Sequence, residues 1–75
     1  MDIKQTVKTM KNTVRVERAI MDITQQQLAD AIGVSRNTIN SIESGKYVPS
    51  TVLALKIARY FGKPADSIFT LEEDD

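Results

Sequence analysis

The chain has 75 residues, 41% of them hydrophobic and 27% charged, with ten basic and ten acidic side chains and no Cys, His or Trp. A chain this short supports one modest core and no cleft between domains. Without Cys or His it has no zinc finger, thiol nucleophile, Ser-His-Asp relay or imidazole base, so no metal, no cofactor and no enzyme activity are expected. Absence of Cys suits a reducing compartment, and no apolar run approaches the roughly 20 residues that span a bilayer; the chain reads as cytoplasmic, with no membrane partner.

The net charge of zero hides an uneven distribution. Residues 66–75 hold Asp66, Glu72, Glu73, Asp74 and Asp75, so residues 1–65 carry ten basic against five acidic side chains, a net of +5. The body is basic and the tail acidic, and the tail reads either as a solvated end or as a contact for a partner.

In chain order, residues 1–10 form an N-terminal extension, in which Ile3 to Met10 is β-tolerant but brief. Helix 1 is expected from about Thr13 to Met21, with Val14, Arg18 and Met21 on its inward face. Val16 and Ile20, spaced i to i+4, fall on the other side and leave spare apolar surface, to be covered by Ile3 and Val7 or by a second subunit. Thr24 with Gln27 makes a capping box for helix 2, about Gln25 to Ile32, in which Leu28, Ala29 and Ile32 recur at helical spacing until Gly33 supplies a left-handed stop.

Ser35 caps helix 3, which Gly45 ends. At about 100° per residue, Thr38, Ile39 and Ile42 define its buried face and leave Arg36, Asn37, Asn40, Ser41 and Ser44 on the opposite arc. That arc holds no acid and is poor in strong helix formers, unlike an ordinary solvated face. Its side chains suit base edges, since Arg can bond guanine O6 and N7 together and Asn can bond adenine N6 and N7 together. Ser50 caps helix 4, the core helix, with Leu53, Ala54, Ile57, Ala58 and Phe61 on one stripe before Gly62. Pro64 stands at the first position of a short helix 5 through Ile68 and Phe69, and Phe69 to Leu71 is again β-tolerant. The expected fold is all-α: a compact five-helix domain over residues 11–71, with room for very short strands at its ends and an acidic tail at 72–75.

Two helices joined by a tight turn containing Gly can place the second in a DNA major groove. The stretch TQQQLADAIGVSRNTINSIESGKYVP, Thr24 to Pro49, resembles the Cro and phage-repressor helix-turn-helix family, also called XRE. The likeness continues through PSTVLALKIARYFGKP to the helix ending at Phe69, so that it covers residues 12 to 71 or so. It implies sequence-specific binding to double-stranded DNA, usually as a dimer and usually to regulate transcription. It also implies a DNA-backbone contact at Gln25, a loop along the backbone that carries Lys46 and Tyr47, and an ion pair between Arg18 and Glu43 that joins helices 1 and 3. Ser35 opens the recognition helix, as cap, phosphate ligand or both. Two departures stand out: Glu17 occupies a position where the family often has Leu, and Met10 lies where many members begin.

The leading reading is therefore a dimeric repressor on a pseudo-palindromic operator. Ile68, Phe69 and Leu71 give the C-terminal end an apolar cluster expected to pair two copies, unless the first two simply complete the monomer core. The rival is an antitoxin-type module that neutralises a protein partner through its ends and represses its own operon.

Overall fold

Three hydroxyl side chains decide where the central helices begin. Thr24, Ser35 and Ser50 each hold an extended backbone and accept a hydrogen bond from the amide three residues on, at Gln27, Thr38 and Leu53. Each such cap stabilises its helix by about 1 kcal/mol relative to Ala. At Thr24 the Gln27 side chain also returns a bond to the cap's own amide, which completes the capping box. Stops are equally local: Gly33, Gly45 and Gly62 all take positive φ, and only Gly does so without steric penalty.

The computed structural model describes residues 10–72; Ile3 and Val7 of the extension and residues 73–75 of the acidic end lie outside them. The elements are β1 (Met10–Asn12), α1 (Val14–Met21), α2 (Gln25–Ile32), α3 (Arg36–Glu43), α4 (Thr51–Phe61), α5 (Ala65–Ile68) and β2 (Phe69–Leu71). The five expected helices are present, and the two β-tolerant ends form an antiparallel pair with Met10 opposite Leu71 and Asn12 opposite Phe69. Met10, assigned from sequence to the extension, thus belongs to the folded unit. Asn12 joins the pair to the helices: its Oδ1 accepts from the Val14 amide at 3.1 Å and its Nδ2 donates to the Ile42 carbonyl at 2.9 Å.

Val14, Leu28, Ala29, Ile32, Ile39, Ile42, Ile57, Ala58, Ile68 and Phe69 form the core. Ile68 and Phe69 are 1% and 7% exposed, which corrects their assignment to a dimer surface: side chains already enclosed by their own monomer have almost no area left to bury. Leu71, the third of that group, is 75% exposed.

Two further expectations are corrected. Met21 shares the azimuth of Val14 but lies in the last turn of α1, where the core has run out, and it is exposed. The α1 residue buried alongside Val14 is instead Glu17, whose Oε2 accepts from Lys63 Nζ at 2.9 Å. Pro64 keeps an extended backbone and precedes α5 as its N-cap rather than opening it. Val16 and Ile20 are exposed, as the wheel requires.

Candidate nucleic-acid interface

Burial of Ile39 and Ile42 fixes the roll of α3 about its axis. Thr38 is half-buried beside them, and Arg36, Asn37, Asn40 and Ser44 face solvent. Ser41 is only half-exposed and its carbonyl is occupied, accepting from the amides of Lys46 and Tyr47 at 2.9 and 3.2 Å. Its visible role is to hold the following loop. Ser35 makes its cap bond to the Thr38 amide and a second contact, 3.0 Å, with the Thr38 hydroxyl.

The one carboxylate of α3 is turned away from the open arc. Arg18 Nε donates to Glu43 Oε2 at 2.7 Å and Arg18 Nη2 donates to Oε1 at 3.2 Å, a two-pronged pair in which the Glu43 side chain is 3% exposed and that of Arg18 is 18% exposed. Arg18 Nη1 also donates to the Ile23 carbonyl at 2.9 Å. The hydrogen bond to Glu43 raises the Arg18 pKa above its ordinary value; burial works against it and the carboxylate's attraction adds to it. Arg18 is therefore a permanent cation that fixes Glu43, and through it the angle between α1 and α3.

Gln25 links this pair to the open arc. Its Nε2 donates to Glu43 Oε1 at 3.1 Å and to Asn40 Oδ1 at 3.3 Å, while its Oε1 accepts from Arg36 Nη1 at 3.3 Å. The family resemblance gave Gln25 as a DNA-backbone contact but did not show that it orients two of the arc's side chains. The clue available was its position one residue past the Thr24 cap, which aims it across the turn at α3.

A shallow concavity lies beside the N-terminus of α2, lined by Arg18, Asp22, Gln25, Gln26 and Arg36. The first amides of a helix have no partner within it and carry partial positive charge, so such a place favours an anionic oxygen. On the other side of the arc, Lys46 and Tyr47 are exposed in the loop that Gly45 turns. The structure thus brings Gln25, Arg36 and Asn40 into contact with one another, with Asn37 exposed on the same helix, and sets Ser35 at its start and Lys46 and Tyr47 beyond its end. Among the described residues, no cluster of His, Cys, Asp or Glu could hold a metal ion, and no helix is long and apolar enough to cross a membrane.

Comparison with known proteins supports a reading of this surface. The profile of the helix-turn-helix family matches residues 14–68. An uncharacterized HTH-type transcriptional regulator of Methanocaldococcus jannaschii is 50% identical over 66 residues, which cover 88% of this chain and 100% of the relative. A cryptic-phage transcriptional repressor of Vibrio cholerae is 37% identical over 51 residues, 68% of this chain and 43% of its own. Among solved structures, that of a Bacteroides fragilis protein is similar with a TM-score of 0.74 at 30% identity, covering 81% of this chain and 98% of that one.

Proposed function

The chain belongs to the helix-turn-helix family of DNA-binding transcriptional regulators, and from that premise we propose how it meets its DNA. Helix α3 enters the major groove with Arg36, Asn37 and Asn40 toward the base edges, Ser41 adding a minor contact from the flank of that arc. Gln25, Ser35, Lys46 and Tyr47 meet the phosphates on either side. Two copies occupy the two halves of a pseudo-palindromic operator in the cytoplasm, and occlusion of the promoter makes the protein a repressor.

The observation that carries this reading is the acid-free arc of α3, with Glu43 drawn inward by Arg18 and the arc's side chains oriented by Gln25. A carboxylate left on that arc would be repelled by the phosphates; here the one available is neutralised by a cation from another helix. Arg36 lies at the N-terminal end of α3, where base edges come within reach, so it is assigned to a guanine. Replacing it, Arg36→Ala, should cost about 1–3 kcal/mol of specific binding and relax preference at one base pair per half-site. A variant that weakens all sequences equally would make Arg36 a phosphate ligand instead.

A further inference from the structure

The inward stripe of α4 is complete without Val52 and Leu55, yet these two apolar side chains are 65% and 55% exposed, one turn apart on the outward face. A surface helix of a small domain ordinarily puts polar residues there. Leu55 forms a ridge between two concavities. On one side is an apolar groove of about 280 Å³, with Ala54, Phe69, Met10 and Ala65 in its lining and Asp66 at its margin. On the other is a second hollow of about 300 Å³, lined by Val52 and Leu55 together with Lys56 and Arg59.

The charge pattern across this ridge is lopsided in a particular way: a carboxylate lies on one flank and two cations on the other. A two-fold axis through Leu55 would carry the Asp66 flank of one copy onto the Lys56 and Arg59 flank of the next, setting Leu55 against its counterpart and Val52 of each copy against the apolar groove of the other. The surface is therefore complementary to itself. No salt bridge ties Asp66, Lys56 or Arg59 to another described residue. The exposed apolar patch of α1, Val16 and Ile20, has Arg15 on one side, but on the other stands Glu17, which is buried and already bonded to Lys63, so no free opposite charge on α1 faces a second copy there.

We infer that the outward face of α4, centred on Val52 and Leu55, is the surface through which two copies of this chain pair. The inference rests on the two-copy reading above and supplies its contact, in place of the buried Ile68 and Phe69. Opposed charges set the register and exclude other docking angles, while the apolar centre supplies the affinity. The patch is small, so pairing is weak in free solution and is completed on a duplex that holds two half-sites.

Sedimentation of the full-length chain across a concentration series, free and bound to a two-half-site duplex, tests this. Wild type should dimerise and Leu55→Glu should remain monomeric with an unchanged helical circular dichroism spectrum, while the control Ile20→Glu should pair like wild type. Leu55→Glu should bind a single half-site within about twofold of wild type but lose about a hundredfold on the paired site. A charge exchange makes the contact explicit: Asp66→Lys alone and Lys56→Glu with Arg59→Glu alone should each fail to pair, whereas the two variants mixed should form a heterodimer. A Leu55→Glu chain that still dimerises, or a mixture no better paired than its components, overturns the α4 contact and leaves the DNA reading intact. A Leu55→Glu chain that loses half-site binding places α4 in the DNA interface and also overturns it. A wild type that stays monomeric even on the two-half-site duplex removes the dimer itself.

Discussion

Gln25 donates to Asn40 and Glu43 and accepts from Arg36, so one neutral side chain connects a structural ion pair to the groups proposed to read bases. The two ends of that ion pair are not equivalent. Removing Arg18 strands a carboxylate that is 3% exposed, left with the Gln25 amide as a donor; removing Glu43 frees a guanidinium that is 18% exposed and keeps the Ile23 carbonyl. Arg18→Ala should therefore cost about 3 kcal/mol, near the lower edge of what an unpaired buried charge costs, and Glu43→Ala less. Against a total stability of about 4–11 kcal/mol for this length, and a shift of about 4–8 °C per kcal/mol, thermal melting will resolve the order of the two. A double variant less damaged than the sum of the singles would show the coupling, whereas melting temperatures within a degree or two of wild type would place both groups in solvent. Lys46 makes a different kind of prediction, because a phosphate charge carries no sequence information. Lys46→Ala should weaken all duplexes about equally and lower the log-log salt slope by about one; an unchanged slope removes Lys46 from the interface.

Among the helices, α2, α3 and α4 were legible in the sequence because their signals are local. A hydroxyl cap, its amide three residues on and a terminal Gly are set by neighbours along the chain, and Thr24, Ser35, Ser50, Gly33 and Gly62 all stand where that chemistry places them. The acid-free arc of α3 was legible for the same reason, once Ile39 and Ile42 fixed the roll. What escaped was decided by distant partners. The very short terminal strands were allowed for, but their pairing and the extent of the first were not, since three-residue strands have no periodicity of their own and exist only because Met10–Asn12 meets Phe69–Leu71. Helix α1 is short, and whether Met21 or Glu17 faces inward depends on where α5 and Lys63 lie. Glu17 now yields a prediction of its own. Its carboxylate is desolvated for one bond to a lysine that is 45% exposed and can return to water, so Glu17→Leu should leave stability unchanged or raise it by about 1 kcal/mol. A fall in melting temperature would mean that the Glu17–Lys63 bond holds α1 to the chain after α4 more tightly than apolar contact can.

For the molecule as a whole, the decisive question is how a neutral chain binds a polyanion. Half of its acids lie outside the basic body, in the 66–75 stretch, and two of the five within it, Glu17 and Glu43, are paired with cations in the fold. The remaining field is positive over the body, and it delivers the protein to DNA without choosing a sequence. In the proposed binding mode choice comes from α3, and one such helix reads only a few base pairs, too few for the affinity typical of specific regulators. The proposed pairing of two copies would double the readout and impose a geometry on it, since the two recognition helices of a symmetric dimer must lie about one duplex turn, about 34 Å, apart. Selection of bound duplexes from a fully random pool by the wild-type chain tests this account most directly. It should enrich a pseudo-palindrome whose half-site centres lie about 10 base pairs apart, with a guanine in each half that Arg36→Ala no longer requires. A pool that shows no enrichment after repeated rounds, or the same motif selected equally well by Arg36→Ala and Asn40→Ala, would contradict the claim that the exposed arc of α3 reads the bases.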